Sequence, residues 1–163
     1  MMGEWGVVYV IYREIGGARE LLREEESGRA LTAALELLGE YSSPSMTNAM
    51  RELFRWQEDH PKDFAERFVE ELGKRTADGD RLDDHRRFAY RYFHKVRMLS
   101  EAELINPKVI ERSLHDNPRC FRFLQYVLRP IDEAHTKSRH GFPHDAETFD
   151  YYRSRYIGIK VEK

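Results

Sequence analysis

Four dipeptides of one kind punctuate this chain: Ser43-Pro44, His60-Pro61, Asn106-Pro107 and Asn117-Pro118. Proline fits the first turn of a helix, where its missing N–H would have no intrahelical acceptor, and is disfavoured further in. Serine or asparagine just before it offers a side-chain oxygen to the exposed amides of that turn, whereas histidine is a poorer cap. Each dipeptide is followed by apolar residues at helical spacing. Met46, Ala49, Met50, Leu53 and Phe54 follow the first, and Phe64, Ala65, Phe68, Val69 and Leu72 the second, with Gly73 as a stop. Val109, Ile110 and Leu114 follow the third, and Phe121, Leu124, Val127, Leu128 and Ile131 the fourth. All four read as helix starts.

The clearest helix lies between them, over Leu82 to Leu99. At about 100° per residue, Leu82, Phe88, Ala89, Tyr92, Phe93, Val96 and Leu99 share one arc, and Arg87, Arg91, His94 and Lys95 the opposite one. Ala18 to Leu38 also reads as helix: Leu21, Gly28 and Leu35 recur every seven residues beside Leu31 and Leu38, and Ser27-Gly28 is a place where it would break. The run from Gly73 to Arg81 has the composition of a polar loop. The fold expected is mainly all-α, with six or seven helices packed as a bundle or as stacked helical hairpins. It forms a single domain over residues 1–163 with its core roughly at 18–157. The ends admit two readings. Val7–Tyr12 and the alternating Ile157, Ile159 and Val161 form a short strand pair joining the termini, or the first begins a buried helix and the second is a frayed tail.

Composition narrows the function classes. A chain of 163 residues buries enough surface to fold without a disulfide or structural metal. Nine Phe, nine Tyr and two Trp argue against disorder. Net charge is −2, so no global positive field draws nucleic acid. Cys120 stands alone, which excludes an intramolecular disulfide and a multi-cysteine metal site, and its position beside Phe121 and Leu124 reads as core. The longest apolar run, Gly6–Tyr12, falls far short of the ~20 residues that span a bilayer. It also lacks the basic flank of a secretory signal. A soluble, cytoplasmic protein is expected, with no membrane anchoring from this chain.

Three constellations bear on chemistry. The run Asp132-Glu133-Ala134-His135 through His140 to His144-Asp145 holds three histidines within ten residues, but Gly141 and Pro143 interrupt the helix that would align them, and a surface loop accounts for it. All-helical metal-dependent hydrolases hold metal through a His, a His-Asp pair and a distant Asp. His85 or His94, then His115-Asp116, then Asp132 offer that order, although His115-Asp116 runs straight into the Asn117-Pro118 turn. The third is a basic face, Arg87, Arg91, His94 and Lys95, flanked by Arg86 and Arg97 and extended by Arg119, Arg122 and Arg129. Such a stripe contacts phosphates, and Tyr90 lies near enough to stack a base. Asp83 and Asp84 in the first turn, with Lys95 and Arg97 toward the end, also complement the helix dipole. That pattern predicts a solvated face or one meeting acidic groups, and specific nucleic-acid binding is not expected.

The stretch Tyr41-Ser42-Ser43-Pro44-Ser45-Met46-Thr47-Asn48-Ala49-Met50 resembles the second-helix start of an uncharacterised helical family, a domain of unknown function that often carries an N-terminal membrane anchor. Arg87-Phe88-Ala89-Tyr90-Arg91-Tyr92-Phe93 and Leu104-Ile105-Asn106-Pro107 are similar to its aromatic helix and the turn after it. The resemblance covers roughly Ala18 to Asp132. It implies a helical fold, no assigned activity and no catalytic residues to carry over. Where such relatives have a bilayer-spanning helix, this chain has only Gly6–Tyr12. The resulting expectation is a non-enzymatic protein–protein interaction or scaffold module without a cofactor, with a protein partner or self-association through the Gly16–Leu38 region. A metal-dependent hydrolase through His85, His115, Asp116 and Asp132, and nucleic-acid binding through the basic face, are the alternatives.

Overall fold

In the computed structural model, which describes residues 26–106, 118–138 and 146–155, six helices account for 87% of those residues, and no strand occurs among them. The protein is all-α. The first helix, α1, covers residues 26–41 and runs unbroken through Ser27-Gly28. The second, α2 (Pro44–Asp59), starts where the sequence marks it: Ser43 Oγ accepts from the Met46 amide at 3.2 Å, with Pro44 in the first turn. Trp56 then bridges the His60-Pro61 turn. Its Nε1 donates to the Phe64 carbonyl at 2.8 Å while its ring lies 4.1 Å from that of His60. The third helix, α3 (Phe64–Gly73), ends at the expected glycine.

The fourth helix, α4 (Ala77–Glu101), corrects the loop expected over Gly73–Arg81. Thr76 Oγ1 accepts from the Gly79 amide at 3.0 Å, and Asp78 and Asp80 occupy the first turn, where the helix dipole favours acids. The polar composition belongs to a capped first turn. Gly79 is required there: a Cβ would lie 2.6 Å from the Glu71 carbonyl oxygen, so α3 and α4 meet backbone against backbone.

The fifth helix, α5, runs as Pro118–Phe123, a π-helical turn Leu124–Leu128, and Arg129–Ser138 without interruption. Pro130 explains the turn. It has no N–H for the Tyr126 carbonyl four residues back, and Gln57 Nε2 from α2 donates to that oxygen instead, at 2.8 Å. Buried residues of α5 repeat every four positions, as Cys120, Leu124, Leu128, Asp132 and as Phe123, Val127, Ile131, His135. A pure α-helix would let such rows drift by about 40° per repeat. The π turn absorbs the excess and keeps both rows inward. Asp132–His135, expected in a surface loop, is therefore helix, with Asp132 and His135 buried.

The last helix, α6 (Ala146–Arg155), packs on α4 and on the π turn. Against α4 also lie α2 and α3, and α3 packs in turn on the second half of α5. One core cluster draws Leu37, Leu53, Phe68, Phe93, Phe123 and Phe149 from the six helices. The helix expected from Pro107, His115, Asp116, the His140–Asp145 run, Val7–Tyr12 and Ile157–Val161 lie outside the described residues.

Candidate functional site

Charge, rather than apolar area alone, joins α4 to its neighbours. Arg86 is 7% exposed and bridges two carboxylates: its Nε donates to Asp83 Oδ1 and its Nη1 to Asp132 Oδ1, each at 2.8 Å. Asp83 is itself buried and receives Arg87 at 2.6 Å through its other oxygen. Each buried charge thus has an opposite one in direct contact, the condition for tolerating ions in a core. One helical turn from the end of α4, buried Arg97 contacts Glu147 of α6 at 2.9 Å and Glu101 at 3.3 Å. Arg86 and Arg97, expected beside a solvent-facing basic stripe, are interior side chains.

The basic face follows from that packing. Arg87 leans on buried Asp83, and Lys95 reaches Glu40 of α1 at 2.7 Å. His94 Nδ1 shares a hydrogen bond with Thr148 Oγ1 of α6 at 3.2 Å, and its ring stacks on Tyr90 at 5.8 Å. Arg91 is exposed and has no ion pair among the described residues. Behind this face Tyr92, Phe93 and Val96 are fully buried and Phe88 partly so. Arg119 and Arg122 lie instead over the Phe54 ring, at 5.7 and 6.0 Å from its centre.

Of the four metal-site candidates, His85 and Asp132 lie among the described residues. The Asp132 carboxylate accepts from Arg86, whereas half-buried His85 has its imidazole held below its ordinary pKa by burial, against the opposing pull of the Glu52 carboxylate of α2. Their proposed companions His115 and Asp116 lie outside the described residues. Among the described residues no group of three or more His, Cys, Asp or Glu side chains is placed to hold a metal. Cys120 is fully buried, its thiol pushed up to about 12 by desolvation, beside Tyr41, whose phenol burial also pushes up. The Tyr41 and Tyr92 rings lie 5.6 Å apart. The Tyr92 hydroxyl is buried without a hydrogen-bond partner among the described residues.

The reverse arrangement appears on α1. Ala34 and Leu37 face the core, whereas Leu31 and Leu35, named in the sequence for their helical spacing, are 60% and 59% exposed. They stand one turn apart and form an outward apolar ridge. The sequence carries leucines at this spacing within the Gly16–Leu38 region expected to self-associate, but periodicity alone does not separate the leucines that pack from those that face outward. No helix among the described residues is long and apolar enough to cross a membrane. Compared with family models, with curated proteins and with solved structures, the chain matches none.

Proposed function

We propose that this chain is a non-enzymatic helical module for protein–protein interaction, working as a soluble cytoplasmic protein. The observation that carries the reading is the outward ridge of α1, two leucines more than half exposed one turn apart on a helix whose other face is already packed. Scattered exposed leucines are ordinary, but adjacent ones on a single helix face are the pattern by which helices dock. The alternatives find less support. A metal-dependent hydrolase would need Asp132 as a ligand, and Arg86 holds that carboxylate. Nucleic-acid binding would need the charges of Arg87, Arg91, His94 and Lys95. Arg87 and Lys95 contact carboxylates of this chain, and His94 a threonine hydroxyl.

Thr32, exposed beside the ridge, is the position for a test. A photo-crosslinking amino acid there, in the full chain irradiated in extract of its native cells, is expected to form a protein adduct that disappears when Leu31→Glu and Leu35→Glu are added. No adduct, or one indifferent to those changes, overturns the reading.

A further inference from the structure

We infer that the occupant of this face is a second copy of the same chain, with α1 pairing antiparallel to α1 about a twofold axis that sets Leu31 opposite Leu35 of the partner subunit. The inference rests on the interaction-module reading and names its partner. At about 100° per residue, Gly28, Leu31, Thr32, Leu35 and Gly39 fall within one arc of about 100°, and all five are exposed. The Thr32 hydroxyl donates to the Gly28 carbonyl at 3.0 Å, so this polar atom needs nothing from a partner. Glycine weakens a helix relative to alanine. Packing within the chain forces it at Gly79, whereas a Cβ at Gly28 or Gly39 would meet nothing within 4 Å. Both positions leave room for the close approach of another helix.

The charges choose the orientation. Arg29 and Glu36 are exposed on the same flank of the stripe, seven residues apart, and they straddle the Leu31–Leu35 pair. In the antiparallel pair, position 31 faces 35 and position 30 faces 36. Arg29 therefore comes within one residue of Glu36 of the partner subunit, and symmetry repeats the contact at the other end. Parallel, in-register pairing would put the two copies of this flank on opposite sides of the seam, so that Arg29 and Glu36 would not meet across it. A single helix face is small beside standard interfaces, so the pair is expected to be weak and to depend on concentration.

Sedimentation of the purified full-length chain over a concentration series tests this. The expected result is a monomer–dimer equilibrium that Leu31→Glu with Leu35→Glu abolishes, while the thermal melt of the dilute monomer is unchanged. Arg29→Glu should weaken the dimer by about 10-fold, and Arg29→Glu combined with Glu36→Arg should restore it. A chain that stays monomeric overturns the pairing. If it still forms the Thr32 adduct with another protein in extract, only the identity of the partner falls. A dimer that survives the leucine changes, or a charge swap that fails to rescue, overturns it equally.

Discussion

Two helices of this protein use their side chains in opposite ways. α4 lies against α2, α3 and α6 and is tied to α1 by Lys95–Glu40 and to α5 by Arg86–Asp132, and among these contacts it buries Asp83, Arg86 and Arg97. α1 turns one face to the core and leaves Leu31 and Leu35 in solvent. The number of neighbours around a helix, rather than the polarity of its residues, decides which side chains lose water. A surrounded helix must satisfy its charges internally, and one held on a single side can keep apolar residues for something else.

The largest expected effect tests the buried charges. Arg86→Ala leaves Asp83 and Asp132 desolvated without their shared counter-ion and should cost about 3–5 kcal/mol, read from urea or thermal unfolding. Near-wild-type stability would mean that water reaches the cluster and that α4 is less enclosed than described. A smaller cost, about 1–3 kcal/mol, is expected for Gly79→Ala, because the new methyl meets rigid backbone. Gly28→Ala on α1, measured in dilute solution, should instead stabilise by up to about 1 kcal/mol. Equal signs for the two glycines would dissolve the contrast between the helices.

Next comes the Tyr92 hydroxyl, a polar atom that the enclosure of α4 leaves unsatisfied. Tyr92→Phe should be neutral or stabilising, by about 1 kcal/mol. It should also change the alkaline behaviour. Burial raises the pKa of Cys120, Tyr41 and Tyr92 above their ordinary values of 9.0 for the thiol and 10.0 for the phenols. The folded chain therefore keeps protons that the unfolded chain gives up. The stability from these groups is complete below pH 9 and declines as pH rises from there toward 12. Denaturant midpoints at pH 8 and 10.5 should converge in Tyr92→Phe relative to wild type. The smallest effect belongs to the solvated face, where Arg91→Glu should shift stability by no more than about 0.5 kcal/mol. A large loss there would show that Arg91 shares the enclosure of its neighbours.

Local chemistry was legible in the sequence where it alone decides the outcome. Ser43-Pro44 starts α2, Gly73 ends α3, and the apolar arc of α4 is the arc that packs. The start of α4 was not, because Thr76, Asp78 and Asp80 have the same composition in a loop as in a capped first turn. The burial of Arg86 was not legible either, since its partner Asp132 lies 46 residues away. On α1 the periodicity located a helix and a leucine-rich face but did not say which residues pack: Ala34 and Leu37 do. A small residue such as Ala34 contributes little to a hydrophobic pattern and much to how closely two helices can lie.

The π turn of α5 gives that helix a tolerance in chain length that its other turns lack. It stores one residue more than an α-helical turn requires, upstream of Ile131, Asp132 and His135. Losing one residue between Leu124 and Leu128 would restore ordinary winding and leave everything downstream facing as before, because the π turn has already absorbed the rotation of the extra residue. Asp132 would keep its place against Arg86. A residue lost from the α-helical part just upstream of Asp132 has no such slack and would turn that carboxylate by about 100° away from Arg86. Variants of this chain that differ in length by one at the π turn should therefore keep the residues at positions 86 and 132 together.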